Sequence, residues 1–361
     1  MPATIERFTI TRFQYPRSRP IGDSQVISHD HYSAALELHD SAGHTGTGFF
    51  GALFHPLPPL TELERSFAEE AFPGVQGQDP FSLLNRIGRP RGGNRRGTIF
   101  GTAVNQALWD LQGQALGLPL YRLLGGTRDR VRAYASGLDY HMPDDQFHAF
   151  FREARARGFG AFKIKVGHPD LGWDLHRLSL LVDAVGRDGI IMVDANEAWT
   201  PKEAIRRAHA YHAAGYTPYW LEDPTLRDDF AGLAQISQAV PFSHVNSGEY
   251  LDLQGKSQLL AAGGADILNI HGHISDSLQA GRLAAHHGIR VSLGNTAHEI
   301  GVHLACALPE ADWLEYSFLD YDHLIANPIQ FADGYALAPD RPGHGLALSD
   351  TARSAWSRPE A

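Results

Sequence analysis

The stretch AFKIKVG, residues 161–167, places two lysines, Lys163 and Lys165, one residue apart among apolar neighbours. Read as a strand it alternates faces, so both ammonium groups emerge on the same side, about 7 Å apart along the chain. On a surface strand such a pair is solvated and ordinary. Inside a barrel, burial and mutual repulsion lower both pKa values and make at least one amine a usable base. The rest of the chain decides between the two.

From residue 131 onward a rhythm sets in. VRAYASG, AFKIKVG, IIMVDAN, YWLEDP, FSHVNSGE, ADILNIHG, RVSLGN and WLEYS are short apolar runs, each closing on polar residues. Amphipathic stretches such as DQFHAFFREARARG and PKEAIRRAHAYHAAG fill the gaps. Strands alternating with helices at this interval predict an α/β fold, a TIM-like (β/α)8 barrel with its chemistry at the carboxyl ends of the strands. A doubly wound open sheet is the alternative, but no glycine fingerprint opens it.

Upstream, ATIERFTITRF and HYSAALELHD predict strands, and TELERSFAEEAF predicts a helix capped by Thr61 with Glu64 three residues on. RSRPIGDSQ and GFFGALFHPLPP read as loops with side chains to present. GGNRRG, within residues 92–97, has neither a preceding strand nor a Lys-Ser/Thr ending, so it is not read as a phosphate loop. GTAVNQALWDLQGQALGLPLYRLLGG predicts a packing helix stopped by Gly117, with Pro119 opening a further turn.

Composition limits the function. A 361-residue chain with 43% hydrophobic and 20% charged residues is that of a globular protein. A net charge of −10 argues against nucleic acid as a partner and suits carboxylates gathered round a cation. The single cysteine, Cys306, excludes a disulfide framework and a thiolate metal site, and reads as a buried inert thiol. With no signal-peptide pattern and no membrane-length apolar run, the expectation is a cytoplasmic protein with no membrane partner. Most of the 20 histidines, His209, His212, His286 and His287 among them, fall on helices as structural or surface groups.

Three successive strands end in acids: Asp194 in VDAN, Glu222 in LEDP and Glu249 in SGE. On neighbouring strands of a barrel these converge, and three carboxylates in one low-dielectric mouth need a cation. An all-oxygen donor set favours a hard divalent ion, Mg²⁺ rather than Zn²⁺. Such an ion holds a substrate carboxylate and stabilises the charge left when the α-proton departs, and a lysine of the second strand is placed to take that proton.

In these features the chain resembles the enolase superfamily, in its mandelate racemase and muconate-lactonizing branch. The resemblance rests on ALWDLQGQALGLPLYRLLGG, the Lys-x-Lys, the Asp-x-Asn, the Glu-Asp-Pro, the Gly-Glu and the DGY…PGHG tail. It implies an N-terminal α+β capping domain over residues 1–125, a catalytic barrel over 126–325, and a C-terminal segment, 326–361, that returns to the cap. It further implies that Asp194, Glu222 and Glu249 bind Mg²⁺ and that Lys165 is the base on one face of the substrate, supported by Lys163. Asn196 then sits beside the metal, and Glu315 hydrogen-bonds a substrate carboxylate oxygen. Enolase-type sites pair a Lys or His base with Mg²⁺ and an enediolate.

The sequence also departs from that pattern. Racemase-like members carry an Asp on strand six and a His on strand seven. Here the corresponding positions fall on His271 and Asn295, so the dyad is absent. His271 stands as a substitute acid or base, against the reading of a structural barrel-mouth histidine, and His298 is a further candidate to contact the substrate. A zinc-protease reading of His298-Glu299 fails, because His303 lies five residues on rather than four. The expected reaction is dehydration of a hydroxylated or sugar acid through an enediolate. Racemisation or epimerisation, cycloisomerisation, and a barrel that binds Mg²⁺ and a carboxylate without turnover are the alternatives. Arg17, Arg19, Phe50 and His55 are candidate specificity contacts from the cap. The partner is a small-molecule carboxylate, and assembly into a homo-oligomer is common among relatives.

Overall fold

A computed structural model describes residues 3–51, 53–84 and 99–356, and GGNRRG lies outside the described residues. The chain opens with an antiparallel sheet of β1 (Ile5–Gly22), β2 (Ile27–Asp40) and β3 (Thr45–Gly51), in that order. The short helices α1 (Leu60–Ser66) and α2 (Pro80–Leu83) follow, then the long α3 (Gly101–Leu116) and the single turn α4 (Leu120–Leu123). α3 stops where predicted, at Gly117 with φ 66°, and Pro119 caps α4.

Three local expectations are corrected here. Helix α1 is entered through Pro59, extended at φ −53° and ψ 149°, so Thr61 lies inside the first turn and caps nothing. The segment RSRP belongs to β1, and GFFG belongs to β3 rather than to a loop. Gly46 and Gly48 explain the second case. A Cβ on Gly48 would stand 1.9 Å from the Ala103 carbonyl oxygen and one on Gly46 2.2 Å from that of Ala107. Missing side chains let α3 lie directly on the strand, and Phe50 is thereby turned into the cap's core against Phe100.

The barrel is built from β4 (Arg130–Ser136), α5 (Asp144–Ala156), β5 (Ala161–Lys165), α6 (Leu171–Val185), β6 (Ile190–Asp194), α7 (Pro201–Ala213), β7 (Trp220–Glu222) and α8 (Phe230–Ala239). It continues through β8 (His244–Ser247), α9 (Leu253–Ala261), β9 (Ile267–Ile270), α10 (Ile274–His286), β10 (Arg290–Leu293), α11 (Val302–Ala307) and β11 (Ala311–Tyr316). Neighbouring strands pair in parallel, and β11 pairs with β4 to close the ring. A TIM-like barrel with an N-terminal α+β cap is therefore the observed architecture.

Strand alternation sorts the barrel's side chains. Phe162, Ile164, Val193, Leu221, Val245, Leu268, Ile270, Leu293 and Leu314 face outward and meet Phe147 and Phe151 of α5, Leu178 and Leu181 of α6, and Leu233 and Ile236 of α8. Each such burial contributes about 1.5–3 kcal/mol. Tyr134, Ala161, Met192, Trp220, Ile267 and Trp313 face inward and plug the lower interior. The next inward positions toward the carboxyl ends carry the polar residues.

The C-terminal segment does two things. β12 (Gln330–Ala332) and β13 (Tyr335–Leu337) form a hairpin that adds antiparallel to β4, so part of the tail pairs with the barrel. Beyond it the His344 N–H donates to Asp110 Oδ1 (2.9 Å), and His344 Nε2 lies 2.7 Å from the Thr47 carbonyl oxygen. Asp110 Oδ2 in turn accepts from the Thr47 N–H, which fastens tail, α3 and β3 together. In the last helix, α12 (Asp350–Trp356), Arg353 forks onto Glu37 of β2. Cys306 is buried, its thiol pushed up to about 12 by that burial. Among the described residues no helix is long and apolar enough to cross a membrane.

Candidate active site

Lys163 and Lys165 both point into the barrel and are 2% and 5% exposed. Lys163 Nζ lies 2.7 Å from Glu222 Oε1, 3.3 Å from Glu315 Oε1 and 3.5 Å from Asp194 Oδ2. Lys165 Nζ donates to Asp194 Oδ2 (2.6 Å) and to Asn196 Oδ1 (2.8 Å). Asn196 also donates its N–H to Asp194 Oδ1 (2.9 Å), which fixes the pair from both ends. Behind Lys165, its own N–H is held by Asp139 Oδ1, and Arg177 donates to the Asp139 carbonyl. The whole assembly is tied to the strand ends.

Two asparagines that sequence reasoning passed over face the same interior. Asn246 Nδ2 and Asn269 Nδ2 approach Glu222 at 3.4 and 3.3 Å, while their oxygens accept from Ser292 Oγ and the Gly294 N–H. SHVNS and DILNI carried the signal, a lone amide at an inward position of an apolar strand. Asp223, next to Glu222, accepts from Ser247 Oγ (2.6 Å), and burial raises its carboxyl to about 6.

The electrostatics correct one expectation. Burial does work to lower both lysines, but the pull of Glu222, Glu315 and Asp194 on Lys163, and of Asp194 on Lys165, outweighs it, and both are held protonated. The carboxylates carry the opposite strain. Glu249 is raised to about 8 by burial and by Glu315, and burial lifts Glu222 well above its ordinary value despite Lys163. Four carboxyl groups (Asp194, Glu222, Glu249 and Glu315) share the interior with two ammonium groups, and burial keeps Glu222 and Glu249 raised for want of further positive charge. Among the described residues no three acidic, histidine or cysteine side chains close into a cage for an ion. The lysines draw Asp194 and Glu222 toward themselves instead.

His271 follows β9 directly, and alternation from Ile267 and Asn269 carries its side chain to the barrel interior. β9 is four places from β5 in a ring of eight, so His271 and Lys165 rise from opposite walls. Burial pushes the imidazole down to about 4, with the nearby Lys256 ammonium acting in the same direction. Its ring meets Tyr250 edge-on, with centroids 5.5 Å apart. Tyr250 lies under the guanidinium of Arg227, which forks onto Glu197. The loops after β6, β7, β8 and β9 are thus linked side by side round the mouth.

Asn295, just beyond β10, has a buried Nδ2 with no protein partner. His298 is buried between Phe49 of the cap and Tyr321, at ring distances of 4.4 and 4.3 Å, and its Nδ1 is likewise unpartnered. Asp266, at the start of the same β9 run, binds Ser237 Oγ and the Val245 N–H and is occupied away from Asn295. From the cap, Gln25 Nε2 donates to the Asn196 carbonyl, and Arg17 donates to the carbonyl of Leu319 (3.1 Å). Arg19 stacks on Phe150, whereas His55 is exposed and Phe50 is locked in the cap's core.

Backbone strain gathers at the same rim. Leu138, Asn196, Glu197, Asp223, His298, Glu299, Phe318 and Asp320 all adopt positive φ, between 37° and 64°, and all follow barrel strands. Left-handed non-glycine residues each carry a conformational penalty of about 1–3 kcal/mol and cluster at functional sites.

Residues 146–352 match the family model described as enolase C-terminal domain-like. The 3,6-anhydro-alpha-L-galactonate cycloisomerase of Streptomyces coelicolor is 30% identical over 95% of this chain and 97% of its own length. A solved Mesorhizobium loti structure, provisionally termed a mandelate racemase, is 52% identical with a TM-score of 0.95, covering 99% of this chain and 95% of that one. The L-talarate dehydratase of Polaromonas sp. JS666, solved with Mg and L-glucarate, is 29% identical with a TM-score of 0.83, covering 99% and 98%. With barrel, cap and family model in agreement, this chain belongs to the enolase superfamily, in its mandelate racemase and muconate-lactonizing branch, and is an enzyme of the lyase or isomerase type.

Proposed function

We propose that the chain is a Mg²⁺-dependent enzyme that removes the proton α to the carboxylate of a hydroxylated acid, with dehydration as the outcome. The carrying observation is an amine and an imidazole on opposite walls, Lys165 and His271, above four carboxyl groups that only two ammonium groups offset. That surplus of carboxyl groups and the all-oxygen donors of Asp194, Glu222 and Glu249 suit a divalent hard cation. Asp194, Glu222 and Glu249 would hold such an ion, which would offset their charge, loosen their hold on the lysines and stabilise charge developing on the substrate carboxylate.

The chain's own residues supply the rest. Lys165, steered by Asn196, would take the α-proton as the free amine, having given up its own proton once a bound cation draws Asp194 away from it. Lys163 and Glu315 bracket the substrate carboxylate. Asn295 offers an unpartnered amide N–H, and His298 an unpartnered ring nitrogen, to its oxygens. His271, neutral at rest, takes up a proton from solvent and passes it to the departing β-hydroxyl. Water leaves, and the enol relaxes to a 2-keto acid. The likeness to a dehydratase solved with L-glucarate supports this outcome.

Epimerisation is the second reading. A half-buried, neutral imidazole facing the substrate from the wall opposite Lys165 is equally placed to exchange a proton on that face. Incubation with acid sugars and Mg²⁺ in D₂O tests both readings. A 2-keto acid carrying deuterium at C3 supports dehydration, and deuterium at the α-carbon with inversion supports epimerisation. No exchange with any hydroxylated acid overturns the proposal.

A further inference from the structure

Glu249 and Tyr250 are the two central residues of a four-residue turn, Gly248 to Leu251, closed by the Leu251 N–H on the Gly248 carbonyl (3.2 Å). Gly248, at φ 110°, takes a conformation that favours glycine, and a Cβ there would press on Leu268 at 3.0 Å. The turn is otherwise a short span between β8 and α9, and backbone closure alone does not fix such a turn rigidly. A side chain from the first turns of α9 reaches back to it. Lys256, only 6% exposed, donates its ammonium to the Gly248 carbonyl (2.6 Å) and to the Leu251 carbonyl.

Lys256 therefore grips both ends of the turn whose middle presents Glu249 to the metal side and Tyr250 to His271. A lysine buried at this point is expensive, since burial pushes its ammonium down to about 8 against the pull of Glu249, Asp223, Asp252 and Asp276. A leucine or methionine would fill the same space without that penalty. The two carbonyls are what the ammonium gains.

From this clamp we infer that Lys256 is a positioning residue: it sets the Glu249–Tyr250 turn and thereby the divalent-cation affinity of the site. It acts through Glu249 and does not itself touch the ion. The inference rests on the proposed Mg²⁺ site.

Mn²⁺, counted by electron paramagnetic resonance of the free ion, is titrated into full-length wild type, Lys256→Met, Lys256→Arg and Lys256→Gln, with thermal unfolding of each measured alongside. The expected result is about tenfold weaker Mn²⁺ binding in Lys256→Met, with Lys256→Arg between it and wild type. Saturating Mg²⁺ should restore most of the α-proton exchange lost by Lys256→Met. If Lys256→Met does not fold, the order wild type, Lys256→Arg, Lys256→Gln in falling affinity carries the test. Equal Mn²⁺ affinity in wild type and the folded variants, whatever their melting temperatures, overturns this inference alone. Absence of Mn²⁺ binding in wild type overturns the metal reading and this inference with it.

Discussion

Lys165 and His271 face each other across the barrel, four strands apart in a ring of eight, so a substrate between them shows one face to an amine and the other to an imidazole. Replacing each in turn separates their work. Lys165→Ala should slow α-proton exchange by about 10²–10⁴-fold, the usual contribution of a positioned base. His271→Asn should leave exchange largely intact while 2-keto acid formation falls. If instead inversion stops and exchange persists, the enzyme epimerises. Nuclear magnetic resonance of the substrate in D₂O reads all three.

Lys163 is a buried cation with Glu222, Glu315 and Asp194 around it. Lys163→Met removes the positive charge and leaves those acids repelling one another. Breaking a buried pair in this way costs about 3–5 kcal/mol. Urea unfolding in EDTA should show that loss, and excess Mg²⁺ should narrow it. An equal loss with and without Mg²⁺ would mean that the acids do not share an ion.

Acid sensitivity should come from buried neutral histidines rather than from the surface. His303 accepts the Tyr121 N–H at Nδ1 and places Nε2 3.0 Å from the His344 carbonyl, so its neutral form fits both partners. Burial lowers it from 6.5 to about 3. Between those values the unfolded chain binds a proton that the folded chain refuses. Stability is therefore complete above the unfolded value and falls as pH drops from 6.5 toward 3, by up to about 1.4 kcal/mol per pH unit. His31 and His298, also lowered to about 3, add in the same direction. Urea midpoints between pH 5 and 7 should decline on acidification, and less steeply in His303→Asn.

Gly48→Ala should damage the cap more than a single methyl suggests. The added Cβ meets backbone rather than a movable side chain, 1.9 Å from the Ala103 oxygen. Overpacking of this kind costs about 1–3 kcal/mol, and forcing α3 away from β3 puts the effect at the upper end. Thermal unfolding checks it, with Gly43→Ala, where no atom lies within 4 Å but φ is 90°, expected to show backbone strain alone.

Much of the barrel could be read directly, because alternation of apolar and polar residues along short strands reports both the strand and the face it buries. Lys163, Lys165, Asp194 and Glu222 were legible for that reason. Asn246 and Asn269 follow the same rule and went unread, since a neutral amide does not announce a role as an acid or a lysine does. The cap was harder. GFFG looks like a loop until α3 is seen lying on Gly46 and Gly48, a contact between segments about sixty residues apart that no local pattern encodes. The lysine pKa values were misjudged for a similar reason: burial and the partner amine were visible, but the closeness of Glu222 and Glu315 is a property of the closed ring. Lys256 and Tyr250 lie in a stretch with no striking composition, and only the turn between β8 and α9 reveals them.

The positive-φ residues crowding the carboxyl ends of the strands have a practical consequence for anyone wishing to harden this enzyme against heat. Consensus or computational redesign would nominate glycine or asparagine at Glu197, Asp223, His298 and Glu299, since relaxing the backbone there promises easy gains in melting temperature. These are also the places where loops are bent to aim side chains into the mouth. A library screened for robustness alone would drift toward a sturdier barrel with a blunted centre, so selection for turnover has to accompany it from the first round.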